Sequence, residues 1–181
     1  MTEPTTPTKG RFILSKEFGF EAAHQLQGHD GKCARLHGHS FKLKVFVVGT
    51  QLHKSGPQRA MLMDYGHISN IVRPVVDQLL DHQFLNETLE CSSPTSEFIA
   101  LYLFELLAPK FAETPDRCQL EAVEINETCT SGCVFQSLLS VEEQRRQVID
   151  MFVEDISSNG RVRQEVESLI ERRGDETLRG Q

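Results

Sequence analysis

The sequence predicts an α+β fold in which an antiparallel sheet carries helices on one face. Three observations indicate this fold. Near both ends of residues 11–139, apolar side chains recur at every second position, which is typical of strands. Two amphipathic helical patterns lie between those stretches. The resulting order is strand, strand, helix, helix, strand, strand. We therefore expect a four-stranded antiparallel sheet with two helices packed on it.

The first two strands are predicted from residues 12–24 and 38–48, where apolar residues recur at every second position. Successive side chains of a strand point to opposite faces, so His37 and His39 share a face. An antiparallel partner strand can then deliver His24 beside them from across the ladder. The two strands are thus expected to bring three imidazoles together.

The first helix is predicted to begin after an N-cap at Asp64, and Pro74 should kink it or loosen one of its turns. The second helix is predicted to open at residues 93–97, with Pro94 in its first turn. The last two strands are expected at 120–127 and 133–135. The apolar stripe of the first helix comprises Ile68, Ile71, Val72, Val75, Val76, Leu79 and Leu80.

The 181 residues are expected to form one core with appendages. Residues 1–10 are polar and rich in Thr and Pro, which predicts disorder, and residues 11–139 hold the catalytic domain. Residues 140–181 contain ten acids and seven arginines but no lysine. This segment is predicted to be a charged, partly helical C-terminal extension, either a solvated tail or a packing arm between subunits.

Composition excludes several classes of protein. A net charge of −7 argues against nucleic acid as a general partner, because phosphate binding needs a basic face. No apolar stretch approaches the roughly 20 residues that a bilayer crossing needs, so no membrane is expected, and the N-terminus lacks a secretory pattern. We expect a cytoplasmic protein whose five cysteines are free thiols, ligands or catalysts.

The three histidines predict a metal centre. Neutral imidazoles suit Zn²⁺, and three protein ligands leave a fourth position open, as in catalytic zinc sites. Cys33 lies four residues before His37, in a loop that carries Lys32 and Arg35. Positive charge favours a thiolate, which would make Cys33 a general base or nucleophile. The alternative is that Cys33 is a fourth ligand and closes the site.

Three further places carry chemistry. Asp81 and His82 follow the first helix, where the acid can orient the imidazole or share a proton with it. Glu127 continues an apolar alternation, so its carboxylate either turns to solvent or accepts hydrogen bonds from adjacent N–H groups of a guanine-like or pterin ligand. The turn at 128–133 is expected to line the pocket. Its two cysteines are a weak candidate for a metal pair.

Several motifs together resemble the 6-pyruvoyltetrahydropterin synthase superfamily, and in particular its 6-carboxytetrahydropterin synthase branch. The resemblance spans about residues 11–136. The motifs are Phe20-Glu21-Ala22-Ala23-His24, Cys33-Ala34-Arg35-Leu36-His37-Gly38-His39, Leu80-Asp81-His82-Gln83-Phe84-Leu85-Asn86, Pro94-Thr95-Ser96-Glu97 and Glu127-Thr128-Cys129-Thr130-Ser131-Gly132-Cys133. The branch is indicated by the three-residue gap between Cys33 and His37 and by the last motif.

The resemblance implies a tunnelling fold (T-fold), in which protomers join their sheets into barrels and assemble as a homo-oligomer, a hexamer in particular. It implies 7,8-dihydroneopterin triphosphate as substrate and 6-carboxy-5,6,7,8-tetrahydropterin, a precursor of queuosine and other 7-deazaguanines, as product. The sister reaction, which eliminates triphosphate only, and a non-catalytic zinc- or pterin-binding protein are the alternatives.

The resemblance also assigns roles residue by residue. Three histidines, His24, His37 and His39, hold zinc. Cys33 accepts the proton, and Asp81 and His82 form its relay from a neighbouring subunit. Glu127 anchors the pterin, with Thr95 and Thr128 as further substrate contacts.

Overall fold

One five-stranded sheet and three helices make up the part of the chain that the computed structural model describes, residues 10–116 and 118–138. The predicted extension at 140–181, and all but the last residue of the predicted disordered segment 1–10, lie outside the described residues. The strands are β1 (Phe12–His24), β2 (His37–Gly49), β3 (Gln83–Phe84), β4 (Gln119–Asn126) and β5 (Gly132–Gln136). The helices are α1 (Tyr65–Val75), α2 (Leu85–Thr88) and α3 (Ser96–Ala112).

The sheet has the order β3-β1-β2-β4-β5, and four of its strands are the antiparallel strands that the sequence predicts. The prediction of a purely antiparallel, four-stranded sheet is wrong in one respect. The two-residue strand β3 adds to β1 in parallel, with Gln83 opposite Ala22 and Phe84 opposite Ala23. A strand of two residues is too short to show a periodic pattern, so β3 could not be predicted from the sequence.

The long β1–β2 ladder separates two faces. Phe18 and Phe20 on β1 lie opposite Leu43 and Phe41 on β2, and all four are at most 3% exposed. The residues that alternate with them on β1, Glu17, Gly19 and Glu21, are exposed. The first set forms the core face of the sheet, and the second set forms the outer face.

Helix α1 begins as predicted, because the Asp64 carboxylate accepts a hydrogen bond from the Gly66 N–H at 2.6 Å. The predicted loosening near Pro74 is also present. After Val75 the chain continues as a π turn over Val76–Leu80, in which the Asp81 N–H donates to the Val76 carbonyl. Proline cannot donate a backbone hydrogen bond, which favours such a change of helical pitch. The π turn brings Asp81 back towards the end of β1.

Helix α3 begins at Ser96, with the Thr95 hydroxyl accepting from the Phe98 N–H at 3.3 Å. Pro94 therefore precedes the N-cap and does not lie in the first turn, which corrects the sequence prediction. The short helix α2 was not predicted, since four residues cannot show a helical stripe.

Both longer helices cover the core face, as expected: α3 packs on β4 and β5, and α1 packs on β1. The layer between them contains fully buried aromatic and aliphatic side chains, among them Phe18, Phe41, Phe111, Leu43, Ile68, Leu103 and Ile125. Among residues 10–116 and 118–138, no helix combines the length and apolar character that a bilayer crossing requires.

Candidate metal centre

Three imidazoles converge at the end of the β1–β2 ladder. The register places His24 directly opposite His37, and His39 lies two residues further along the same face. The ring centroids of His24 and His37 are 4.5 Å apart, those of His37 and His39 are 5.0 Å apart, and those of His24 and His39 are 5.4 Å apart. The cluster thus continues the core face beyond Phe41, whose ring stands edge-on to His24 and His39.

Two of the rings are oriented by backbone carbonyls. His24 Nδ1 lies 2.9 Å from the Pro94 carbonyl, and His37 Nδ1 lies 2.6 Å from the Arg35 carbonyl. A carbonyl oxygen only accepts hydrogen bonds, so each Nδ1 carries the proton and donates. The Nε2 lone pair of both rings is then free for a metal, which is the usual arrangement around a metal-bound histidine.

The three Nε2 atoms are buried and have no hydrogen-bond partner among the described residues. Glu127 Oε1 lies 3.2 Å from His24 Nε2 and 3.0 Å from His39 Nε2, within ion-pair range. One ligand atom from each of the four residues falls within 4.8 Å of the others. Buried polar atoms normally find partners. Three unpartnered nitrogens beside a carboxylate fit a divalent metal, and a set of nitrogen and oxygen donors suits zinc.

The protonation state of His39 favours metal binding. Burial lowers the pKa of His39 below its ordinary value of 6.5, and the nearby rings of His24 and His37 add to this effect. The Glu127 carboxylate opposes the shift but does not cancel it. Because only the neutral imidazole can donate a lone pair to a metal, a lowered pKa keeps His39 competent as a ligand at neutral pH.

Glu127 follows the last residue of β4, and its two oxygens face different groups. Oε1 faces the imidazoles, whereas Oε2 accepts a hydrogen bond from the Ser96 hydroxyl at 3.2 Å. The carboxylate is 26% exposed, so it lies at the mouth of the cluster and does not turn fully to solvent. Sequence reasoning assigned no role to Ser96. The only available signal was its place next to Thr95 in a motif that also caps α3.

Cys33 lies outside the group of four. It occupies a single 3₁₀ turn, Lys32–Ala34, and is half-buried. Its carbonyl accepts from the Leu26 N–H at 2.8 Å, which closes the loop between β1 and β2. This placement sets the thiol apart from the imidazole and carboxylate atoms that gather around the cluster.

Asp81 and His82 form a dyad. Asp81 Oδ2 lies 3.0 Å from His82 Nδ1, and Asp81 Oδ1 accepts from the Glu21 N–H at 2.9 Å. These hydrogen bonds, that from Glu21 first, hold the pKa of Asp81 below its usual value. His82 has a φ of +56°, and its own N–H donates to the Glu21 carbonyl at 2.6 Å. A left-handed conformation is uncommon for histidine and is fixed here by those contacts.

The dyad opens onto the outer face of the sheet. His82 lines a cavity of about 540 Å³ together with Glu21 and Ser40, whose side chains are joined by a 2.8 Å hydrogen bond. Glu21 and Ser40 alternate with the buried Phe20 and Phe41, so they lie opposite the core face. The imidazole of His82 is 79% exposed and opens into this cavity, which His39 also lines.

A second cavity, of about 700 Å³, adjoins Glu127. It is lined by His39 and Thr128 and extends over the outer face to Lys42. Thr128 lines this cavity beside Glu127, and its hydroxyl lies 3.3 Å from that of Thr130. The two cysteines of this turn are not part of the metal-competent group found among the described residues.

The chain is similar in sequence to known proteins. The family model described as 6-pyruvoyl tetrahydropterin synthase matches residues 13–137. A curated protein of Synechocystis, named 6-carboxy-5,6,7,8-tetrahydropterin synthase, is 45% identical over 126 residues, which cover 70% of this chain and 94% of the relative. A protein of the same name from Haemophilus influenzae is 35% identical over 145 residues, covering 69% of this chain and 99% of the relative.

Solved structures agree on the fold. The 6-pyruvoyl tetrahydropterin synthase of Caenorhabditis elegans superposes with a TM-score of 0.58 at 26% identity, covering 76% of this chain and 99% of that chain. An uncharacterized protein from Wolinella succinogenes has a TM-score of 0.59 at 21% identity, covering 71% of this chain and 99% of its own, and supports the fold alone. With a family model that matches most of its length and relatives covered nearly end to end, the chain belongs to the 6-pyruvoyl tetrahydropterin synthase family.

Proposed function

We propose that the protein is a zinc-dependent lyase that converts 7,8-dihydroneopterin triphosphate into 6-carboxy-5,6,7,8-tetrahydropterin, acetaldehyde and triphosphate. The observation that carries the proposal is the set of three buried Nε2 atoms without hydrogen-bond partners, which converge beside Glu127. The relatives at 45% and 35% identity are named for the product, 6-carboxy-5,6,7,8-tetrahydropterin, and these names support the proposed reaction. The product would enter the synthesis of queuosine or another 7-deazaguanine.

His24, His37 and His39 would hold the zinc through Nε2. When bound, the metal supplies Lewis-acid polarisation of the substrate's side-chain oxygens, which makes an adjacent C–H easier to deprotonate. The Pro94 and Arg35 carbonyls keep two of the rings in the required tautomer.

Glu127 is proposed to anchor the pterin. A carboxylate accepts two parallel hydrogen bonds, which matches the adjacent N–H groups on the pyrimidine edge of a pterin. The Ser96 hydroxyl, 3.2 Å from Oε2, holds the carboxylate in place. Thr128 lines the same cavity, and the Thr95 hydroxyl, which already accepts from Phe98, still has its O–H to donate to a ligand.

Cys33 is proposed to accept the side-chain proton, and the Asp81–His82 dyad to pass protons on. Because the dyad opens on the outer face, it would serve the cluster of a neighbouring copy, whose Cys33 it would approach. In the described part of the sheet, β3 pairs with β1 only at Ala22 and Ala23. Most of the β1 edge that faces β3 can therefore pair with a strand of another chain. The open edge supports a homo-oligomer, and the resemblance to the family suggests that it is a homohexamer.

The overall reaction needs no external oxidant or reductant. Triphosphate leaves by elimination, and the side-chain carbon attached to the ring is oxidised while the ring is reduced. Water then adds to that carbon, so cleavage of the next C–C bond leaves it as the carboxylate and releases the remaining two carbons as acetaldehyde. The residues of the site would bind and orient the substrate and transfer protons. Proton transfer of this kind is carried out by a general base and the groups that relay its proton.

A second candidate is the pyruvoyl synthase reaction, which eliminates triphosphate and keeps the carbon chain. It is favoured by the structural match to the Caenorhabditis elegans 6-pyruvoyl tetrahydropterin synthase. The relatives of higher sequence identity carry the carboxy name, and for that reason we place the lyase first.

The products distinguish these reactions. Purified zinc-loaded protein is incubated with 7,8-dihydroneopterin triphosphate, acetaldehyde is quantified, and the pterin is identified by mass. The proposal predicts acetaldehyde together with the carboxypterin. A pyruvoyl product without acetaldehyde would identify the sister reaction, and unchanged substrate would leave a pterin- or zinc-binding role.

A further inference from the structure

The side chain of Asn86 makes an unusual number of contacts for a residue of a four-residue helix. Its Oδ1 accepts from the Gln25 N–H at 2.9 Å. Its Nδ2 lies 2.8 Å from the Gln25 carbonyl and 3.1 Å from the carbonyls of Cys91 and Ser92. All four partners are backbone atoms, and they belong to two segments that are distant in sequence.

The first segment follows a proposed metal ligand directly. Gln25 is the residue after His24, the last residue of β1. The Asn86 amide hydrogen-bonds to both the N–H and the carbonyl of Gln25, as the backbone of a neighbouring strand would. The end of β1, and with it the backbone of His24, is fixed by this pair.

The second segment carries the carbonyl that orients the same ring. Cys91 and Ser92 lead into Pro94, whose carbonyl accepts from His24 Nδ1 at 2.9 Å. The segments are also joined directly, since the Gln27 N–H donates to the Ser92 carbonyl at 3.1 Å. Asn86 therefore connects the backbone of the ligand to the group that sets the tautomer and direction of its ring.

A third connection reaches the loop that holds the proposed base. The Leu26 N–H, next to Gln25, donates to the Cys33 carbonyl at 2.8 Å. Asn86 itself follows β3 closely, four residues after His82. The amide thus lies where the ligand strand, the Cys33 loop and the segment of the dyad meet.

Asparagine is suited to this place for a chemical reason. One acceptor and two N–H donors serve one backbone N–H and three carbonyls, so one donor is shared between two carbonyls. Aspartate has nearly the same shape but donates nothing when ionised, and its charge would face three carbonyl oxygens. Alanine would leave all four backbone groups without this partner.

We propose that Asn86 is a positioning residue for the metal centre, one that fixes both the backbone of His24 and the carbonyl that orients its ring. This inference rests on the proposed function in one respect, namely that the three imidazoles bind zinc. Changes to the groups that support a metal ligand typically weaken metal binding or activity about 10- to 100-fold. We expect a loss of that size when the amide is removed.

The test compares zinc affinity with stability in the full chain. Asn86→Ala is measured by competition with a chelator of known affinity and by thermal unfolding without metal. Thr88→Val is the matched control, because its hydroxyl makes a hydrogen bond of 2.8 Å from the same helix to the Leu79 carbonyl and does not reach the metal segments. The expected result is zinc binding weakened about 10- to 100-fold in Asn86→Ala and unchanged in Thr88→Val, although both lower the melting temperature.

A spectroscopic readout separates positioning from a general loss of structure. Cobalt(II) in place of zinc absorbs visible light with bands that report the ligand geometry. We expect altered bands in Asn86→Ala and wild-type bands in Thr88→Val. Asn86→Asp retains the shape and the bond to the Gln25 N–H, so it takes the place of the alanine variant if that variant does not fold, and we expect weakened zinc binding from it as well.

Wild-type zinc affinity and cobalt bands in folded Asn86→Ala or Asn86→Asp would overturn the inference. The outcome is independent of turnover. If the wild type binds zinc but does not convert the pterin substrate, the proposed reaction fails while the role of Asn86 stands. If turnover is found but the Asn86 variants bind zinc normally, the role of Asn86 fails while the reaction stands.

Discussion

At the scale of single residues, the position of Cys33 decides what its thiol can do. A fourth zinc ligand would have to gather with the three Nε2 atoms, but the residue that gathers with them is Glu127. Cys33 instead lies in a half-buried turn that is tied to Leu26 by a backbone hydrogen bond. This geometry favours a thiol that acts on a bound substrate over a thiol that closes the metal site.

Replacing Cys33 should therefore separate metal binding from turnover. We expect Cys33→Ala to lower turnover roughly 10²- to 10⁴-fold, the usual contribution of a general base, and to leave the zinc content unchanged. Zinc is measured by atomic emission and turnover by acetaldehyde release. Cys33→Ser, which keeps the size but not the acidity of the thiol, should behave in the same way. Loss of zinc from either variant would identify Cys33 as a ligand.

Some residues of the site could be predicted from the sequence, and others could not. His37 and His39 were paired by the period of a strand, and the register indeed places His24 opposite His37. The groups that orient the rings had no signature, because the Pro94 and Arg35 acceptors are backbone carbonyls, which every residue has. Supporting contacts of this kind depend on the fold and become visible only in three dimensions.

At the scale of elements, the turn from β4 to β5 holds Glu127 in place. The Glu127 N–H donates to the Ser131 carbonyl at 3.1 Å, and Gly132 starts β5 directly afterwards. A Cβ on Gly132 would lie 2.9 Å from the Ile125 carbonyl oxygen, which is part of the neighbouring strand. The absence of a side chain at this position is what allows β5 to pair closely with β4.

Gly132→Ala should consequently destabilise the sheet. Relieving the contact requires a backbone shift, for which a cost of about 1–3 kcal/mol is typical. Gly19→Ala is the control, since a Cβ there would find the nearest atom at 3.9 Å, in ordinary van der Waals contact. Both variants are compared by denaturant unfolding. Equal free energies of unfolding for the two variants would contradict the assignment of a close approach at Gly132.

The elements that the sequence predicted are the long ones, and those it missed are short. The two long strands and the two long helices follow periodic patterns, which need several residues to become visible. β3 and α2 span two and four residues, and both are formed by the packing of the chain after the π turn. The dyad lies in this short region, so the sequence predicted its place after the first helix but not its hydrogen bonds to Glu21 of β1.

At the scale of the whole molecule, the protein combines a closed core with a site at one end of its sheet. The core lies between the helices and one face, whereas the dyad and the larger cavity open on the other face. Neighbouring copies would have to approach that outer face to complete the proposed site. Light scattering coupled to size-exclusion chromatography gives the mass directly, and a monomer that turns over substrate would contradict the proposed sharing of sites.

Zinc affinity and stability should both depend on pH. The pKa of His39 is lowered in the folded protein, chiefly by burial, so the native state favours the neutral ring. The unfolded state then binds more protons, and this contribution to stability is fully present above the ordinary pKa of 6.5 and is lost as the pH falls towards the lowered value.

Thermal unfolding of the metal-free protein as a function of pH measures this effect. We expect the melting temperature to fall on acidification below about 6.5, and the fall to be smaller in His39→Gln, which cannot titrate. An identical pH dependence in the variant would show that His39 does not contribute.

Removal and return of zinc test the proposed metal centre most directly. The wild type is treated with a chelator, turnover of 7,8-dihydroneopterin triphosphate is measured, and zinc is titrated back with activity and bound metal recorded together. We expect turnover to be lost without metal and restored at about one zinc per chain. We also expect that His24→Ala, His37→Ala and His39→Ala neither retain zinc nor recover activity. Full turnover by the metal-free protein, or tight zinc binding by all three histidine variants, would contradict it.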